Sequence, residues 1–239
     1  MVASALPLLG LIVPPRSGAV PADGPALYGE RVRFLARGLG LGEISTRGYE
    51  QVIDRVVDLA AELAAEGAEA VSLMGTSLSF FRGACFNETL ETEMARRVGL
   101  PCTTMSHAIV RGLRALGIQR VAVATAYIDE VNARLGAYLA ASDIVATTIE
   151  GLAITGVAEV AQVPSATLVA LCEKVYRAEP RSDGILISCG GLLTLDAIAV
   201  VEARLGVPVV SSSQAGFWDL MRVAGLDSRA PGGCRLFQV

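Results

Sequence analysis

Histidine is almost missing from this 239-residue chain: His107 is the only one. That excludes multi-histidine metal sites, and any Ser-His or Cys-His relay would have to run through this one residue. Charge is scarce as well, at 18% of residues against about 25% in an ordinary soluble chain. With a mean hydropathy of +0.51, a membrane span is the first thing to test. The uncharged opening run, Met1 to Pro15, contains three prolines and stops at Arg16, short of the about 18 residues a span requires. It has no basic leader and no small-residue cleavage site, so no signal peptide is expected and the chain is expected in the cytoplasm. A net charge of −4 and a pI near 5.2 leave no basic footprint for nucleic acid. The five cysteines are odd in number, scattered and without a CxxC pair, which excludes a disulfide framework and a zinc ribbon.

What the chain does have is apolar sequence, 52% of it, in a length that builds one large domain or two small ones. Short apolar runs at Leu8–Val13, Ala70–Met74, Val121–Thr125 and Gly184–Ser188 read as buried parallel strands. Helical patterns lie between them. A Ser45/Thr46 start, then Val52, Val56, Leu59 and Leu63, and a stop at Gly67 predict one helix. Asn87 is expected to open another, with Glu88, Glu91 and Glu93 early and Arg96 and Arg97 late, the order a helix dipole favours. Asp129 and Ser165 read as caps of two more. Strands alternating with helices in this way predict an α/β fold with parallel sheets flanked by helices.

The chain also repeats itself. Residues 70–77 (AVSLMGTS) align with 184–191 (GILISCGG), 99–106 (GLPCTTMS) with 206–213 (GVPVVSSS), and 10–15 with 121–126. A repeat of about half the chain predicts two pseudo-symmetric α/β lobes. The site is expected in the cleft between them, where the carboxyl ends of the strands face each other.

Ser188-Cys189-Gly190-Gly191 closes one strand and precedes a helix that Thr194 is placed to cap. Consecutive glycines let backbone N–H groups converge on an anion, and a thiol there can donate a proton, accept one or attack. A buried structural cysteine fits the same stretch. In the first lobe the matching turn, Met74 to Ser79, offers the hydroxyls of Thr76 and Ser77 to a carboxylate, or to the cap of the following segment. Tyr127, at the end of its strand, either donates its phenol to a ligand or packs. Cys172 falls on an apolar helix stripe, Cys234 in the tail, Cys102 at the head of a strand and Cys85 in a glycine-flanked loop; core or incidental roles are expected for all four. His107 reads as a helix-cap or surface residue beyond a strand ending at Ser106, and Arg16 and Arg82 as solvated cations within reach of an anion.

Taken together, LGLIVPP (9–15), VPADG (20–24), VSLMGTSLSF (71–80), ATAYID (124–129) and SCGGLLTLD (188–196) closely resemble the arylmalonate decarboxylase family of the aspartate/glutamate racemase superfamily, over nearly the whole chain. The resemblance implies a cofactor-free, metal-free, enantioselective decarboxylation of disubstituted arylmalonates to chiral arylalkanoates. Cys189 is implied as the proton donor. Thr76, Ser77, Tyr127 and the N–H groups around Cys189, Gly190 and Gly191 are implied as a dioxyanion hole. Pro14, Leu41, Ile44, Tyr49, Leu78, Val157 and Val160 are implied as an apolar pocket for the departing carboxylate, with Ile44 and Val160 standing where valine and methionine are expected. The superfamily's racemases place a thiol in each lobe, whereas here the partner of Cys189 in the repeat is Gly75. A racemase must take a proton from one face and return it to the other, while a decarboxylase needs one proton delivered once. Family crossovers return the C-terminal helix to the first lobe, giving lobes of 1–115 with about 213–239, and 116–212. A monomer acting on a small dicarboxylate, without nucleic-acid or membrane partners, is expected. The alternatives are a cysteine-dependent racemase or isomerase of small carboxylates or hydantoins, and a non-catalytic bilobal carboxylate-binding protein.

Overall fold

The four apolar runs become the inner strands of two four-stranded parallel sheets in the computed structural model, which describes residues 5–231 and 234–239. Residues 1–4 of the uncharged opening run, and residues 232–233 of the tail, lie outside the described residues. The first half runs β1 (Leu8–Val13), α1 (Asp23–Tyr28), β2 (Arg33–Gly38), α2 (Thr46–Glu50), α3 (Val56–Ala65), β3 (Ala70–Leu73), α4 (Thr76–Phe80), α5 (Ala84–Val98), β4 (Cys102–Thr104) and α6 (Met105–Ala115). The second half runs β5 (Arg120–Thr125), α7 (Asp129–Ala140), β6 (Val145–Gly151), α8 (Val157–Val160), α9 (Ser165–Ala178), β7 (Gly184–Ser188), α10 (Leu195–Leu205), β8 (Val209–Ser211) and α11 (Ser212–Val223).

Strand order is β2-β1-β3-β4 in one sheet and β6-β5-β7-β8 in the other. Each pair in the sequence repeat therefore occupies equivalent places, β1 with β5, β3 with β7 and β4 with β8. The fold is the expected two-lobed α/β architecture. The inner strands are buried along almost their whole length, which requires unbroken apolar sequence. The edge strands β2 and β6 are only half-buried and carry Arg33, Arg37 and Glu150, so no apolar run marks them in the sequence. α11 packs against α6, β4 and α1. No helix among the described residues is long and apolar enough to cross a membrane.

Several sequence expectations are corrected at the helix ends. The stretch from Ser45 to Gly67 is not one helix but α2, a 3-10 turn at Ile53–Arg55 and α3. Ser45 does cap α2, accepting from the Gly48 N–H at 3.1 Å. The direction then changes because α2 buries Tyr49 against the Phe81 ring, 5.3 Å between centroids, whereas α3 packs against β1 and β3. α5 starts at Ala84 rather than Asn87, after Gly83 at φ +90°, so Cys85 is helical. Asn87 is buried instead, its amide donating to the Tyr138 hydroxyl (3.0 Å) and its carbonyl accepting from Thr104 (2.7 Å). Asp129 and Ser165 are first helical residues behind Ile128 and Pro164. Thr194 stands before α10 but makes no cap bond, since its hydroxyl pairs with Ser211 at 2.9 Å. β4 ends at Thr104, which caps α6 by accepting from the His107 N–H. The His107 ring is 2.6 Å from Glu91, so it is neither cap nor free surface.

Candidate active site

The segments that leave the carboxyl ends of β1, β3, β5 and β7 converge on a cavity of about 240 Å³ between the lobes. Val13 and Pro14 follow β1, Met74 to Ser77 follow β3, Tyr127 follows β5, and Cys189 to Gly191 follow β7. Two contacts across the cleft close its floor: the Ile44 N–H donates to the Thr155 carbonyl at 2.8 Å, and Glu43 bridges to Gly156. They bring Leu41 and Ile44 of the first lobe against Val157 and Val160 of the second, an apolar wall made by both halves of the chain.

Cys189 occupies a backbone conformation with φ +149°, a region that side chains other than glycine rarely enter. Its N–H donates to Ser212 Oγ at 3.2 Å, which holds the strained turn. Burial pushes its thiol up to about 11, although the Gly191 N–H and the Tyr127 hydroxyl pull it down. Burial outweighs these two donors, and the thiol is protonated at neutral pH. Gly190 and Gly191 are needed for close approach. A Cβ on Gly190 would come within 2.8 Å of the Met105 sulfur, and one on Gly191 within 3.2 Å of Val160. The Cys189 amide is thus engaged by Ser212, while Gly190 and Gly191 line the cavity beside it.

Gly75 lines the cavity in the other lobe, and its extended backbone (φ −129°) accepts any side chain. A Cβ there would meet Leu78 Cδ1 at 2.7 Å. Leu78 therefore lies beneath Gly75 and does not itself line the cavity. Tyr49 is also behind the wall, packed on Phe81 with Ser77 beside its hydroxyl. Thr76 Oγ1 lies 2.8 Å from the Met105 sulfur, and its carbonyl accepts from Ser79 and Ser106. Burial pushes the phenols of Tyr49 and Tyr127 well above their ordinary range, so both are neutral donors. Among the described residues the buried oxygens Tyr49 Oη, Tyr127 Oη, Ser188 Oγ and Asp23 Oδ2 lack a partner at ordinary hydrogen-bond geometry, although Tyr127 lies near the Cys189 thiol. Tyr127 and Asp23 line the cavity, Ser188 precedes Cys189 and Tyr49 stands behind the wall. Unpaired buried polar atoms are rare in folded proteins and concentrate at functional sites.

Asp23 and Ser213 also line the cavity, as do residues 19–22 and Leu192 and Leu193. Sequence reasoning assigned them no role. The available signal was Asp23 itself, a single acid in the otherwise uncharged stretch 17–29. The remaining cysteines are elsewhere: burial pushes Cys102, Cys172 and Cys234 up to about 12, and Cys85 is exposed. Arg82 is paired with Glu50 and stacked over Phe81 and Phe86, and Arg16 is exposed outside the cavity lining. Among the described residues no group of three or more His, Cys, Asp or Glu side chains is placed to hold a metal ion.

Comparison with known proteins places this geometry. The chain is 60% identical over 232 residues to a curated arylmalonate decarboxylase from Bordetella bronchiseptica, covering 97% of this chain and 96% of the relative. A curated maleate isomerase from Nocardia farcinica is 26% identical, covering 96% and 95%. Among solved structures, a liganded glycine-to-cysteine, cysteine-to-serine double mutant of arylmalonate decarboxylase superposes with a TM-score of 0.95 at 59% identity, over 97% of this chain and 98% of the other. A maleate isomerase from Pseudomonas putida shares the fold at a TM-score of 0.90 and 23% identity, over 97% and 98%. The sequence profile of the arylmalonate decarboxylases matches residues 9–237. With that match, and with one thiol facing a glycine across the cleft, the chain belongs to the arylmalonate decarboxylase family.

Proposed function

We propose that this protein is a carboxy-lyase that decarboxylates disubstituted arylmalonates to chiral arylalkanoates without a cofactor. The observation that carries the reading is the unequal pair at the cleft, a buried protonated thiol at Cys189 and no side chain at Gly75. One substrate carboxylate rests on Thr76, Ser77, Tyr127 and the Gly190 and Gly191 N–H groups. The other faces Pro14, Leu41, Ile44, Val157 and Val160, with Leu78 and Tyr49 behind that wall. A carboxylate against aliphatic walls is poorly solvated, and loss of neutral CO₂ relieves this. The C–C electron pair moves into an enediolate, spread over the held carboxylate and the aryl ring. Fixed donors aimed at such a charge contribute about 2.7–4 kcal/mol each. Cys189 then gives its proton to the α-carbon from one face, and the resulting thiolate, with an affinity corresponding to about 11, regains a proton from water. The aryl ring takes the place of an added electron sink. The protein acts as a monomer in the cytoplasm on a small dicarboxylate, with the cavity lined from both lobes of one chain.

The test is incubation with phenylmalonate and methylphenylmalonate in D₂O, following CO₂ release and product chirality, with Cys189→Ser in parallel. One deuterium at the α-carbon, in high enantiomeric excess and lost with Cys189→Ser, is the expected result. Racemic product defeats one-face protonation. Tight binding without CO₂ release, unchanged in Cys189→Ser, favours a binding protein instead. Proton exchange on small carboxylates or hydantoins without decarboxylation favours a racemase or isomerase, a reading that Gly75 opposes. Chelators are expected to leave turnover unchanged.

A further inference from the structure

The walls that receive the two carboxylates use only part of the cavity. Val13, Pro15, Leu192 and residues 19–22 also line it and are assigned to neither carboxylate, which leaves them to face the larger substituent of the α-carbon. Two polar side chains interrupt this otherwise apolar wall, Asp23 and Ser213, and the mechanism above uses neither. Asp23 is only 4% exposed, its Oδ2 has no hydrogen-bond partner among the described residues, and the Ser213 hydroxyl lies beside the carboxyl. Thr194 is the other hydroxyl beside it, already paired with Ser211. The position is fixed by packing: a Cβ on Gly24 would come within 2.3 Å of the Phe217 ring, so the start of α1 is pressed onto α11, the helix that carries Ser213.

We infer that Asp23 and Ser213 form a subsite for a hydroxyl on the substrate's aryl group, so that the cleft selects hydroxyarylmalonates. A phenolic hydroxyl both donates and accepts. It donates to the Asp23 carboxyl and accepts from Ser213, satisfying both groups at once. A plain aryl group leaves Asp23 Oδ2 without a partner, which is how a site with a buried polar atom discriminates between substrates. Burial pushes the Asp23 carboxyl up, Asp196 adds to this, and Ser213 and Thr194 oppose it, so the subsite suits a neutral donor better than a cation. The inference rests on the arylmalonate reading of the cleft.

The experiment compares kcat/KM for 2-, 3- and 4-hydroxyphenylmalonate with that for phenylmalonate, in the wild type and in Asp23→Ala, Asp23→Asn and Ser213→Ala. Each ratio is taken within one variant, which cancels the amount of folded enzyme, and is then divided by the wild-type ratio, which cancels the electronic effect of the hydroxyl. For at least one isomer the ratio is expected to fall about tenfold in Asp23→Ala, with smaller losses in Asp23→Asn and Ser213→Ala. Ratios unchanged within about twofold for all three isomers overturn the subsite. Calorimetric Kd values of the hydroxyphenylacetates against phenylacetate, on the same proteins, answer the question without turnover. Should the wild type fail to decarboxylate phenylmalonate at all, the reading of the reaction falls, while these binding ratios still decide the subsite.

Discussion

Cys189 joins three properties that seldom meet in one residue: burial, a free thiol and a φ of +149°. Such backbone strain costs about 1–3 kcal/mol and persists only where the surroundings impose it. Cys189→Gly is therefore expected to be more stable than Cys189→Ala by about 1 kcal/mol in urea denaturation, against the usual order in which glycine is the worse residue. Equal or reversed stabilities would show that the turn is unstrained. The thiol's folded value of about 11 lies above its unfolded value, so the protonated donor is present through the neutral range and is lost only as the pH rises toward 11. Iodoacetamide at pH 8 is expected to label exposed Cys85 and spare Cys189, leaving activity intact. Early inactivation would mean the thiol is more acidic than its burial implies. Gly75→Cys needs Leu78 to rotate its Cδ1 away and to give by a few tenths of an ångström at its Cβ, while the backbone at 75 already suits cysteine. The variant is expected to exchange the α-proton of arylpropionates and to racemise them slowly. Absence of any exchange would count against pairing Gly75 with Cys189.

At the scale of elements, sequence and structure agree where burial is uniform and part where it is not. The four inner strands are legible because each is an unbroken apolar run, two of them with the bounds expected. The edge strands β2 and β6 are invisible because one face meets solvent. Helix starts were misplaced where a polar residue serves tertiary contacts instead of the local backbone, as Asn87 does toward Tyr138 and Thr104. The turn that carries Cys189 is legible from the repeat, whereas Asp23 and Ser213 are not, because a carboxyl and a hydroxyl meeting from α1 and α11 leave no spacing signal. The strand-to-helix junctions after β4 and β8 are built alike, with Thr104 accepting from the His107 N–H and Ser211 from the Gln214 N–H, both at 3.3 Å. Ser211→Ala removes that cap and also leaves Thr194 without its 2.9 Å partner. A loss of about 1–2 kcal/mol is expected in urea unfolding. A change within about 0.3 kcal/mol would show that the cap is dispensable.

At the scale of the whole molecule, two lobes form one cleft only if something fixes them together, and α11 is placed to do so. We propose to count residues 213–239 with the first lobe, although α11 directly follows β8 of the second sheet. Asp219 on α11 is 1% exposed and accepts from Arg111 of α6 at 2.7 Å, and Thr103 of β4 donates to the same oxygen. Arg111 reaches on to Glu91 of α5 at 3.0 Å, and His107 closes the network. Burial alone would push the Glu91 carboxyl up, but His107 and Arg111 outweigh it and hold it below the usual range. Its contribution to stability is thus present above the unfolded value and disappears as the pH falls through the folded one. Arg111→Met leaves Asp219 buried without a cation and is expected to cost about 3–5 kcal/mol. Arg111→Met with Asp219→Leu, which removes both charges, is expected to recover most of that loss, since two apolar side chains of similar size need no solvation. If α11 is the tie between lobes, the single variant also loses kcat/KM beyond its loss of folded protein, and the double variant regains it. Full activity in a destabilised Arg111→Met would mean that the cleft is held by the Ile44–Thr155 and Glu43–Gly156 contacts alone, and that α11 merely rests on the first lobe.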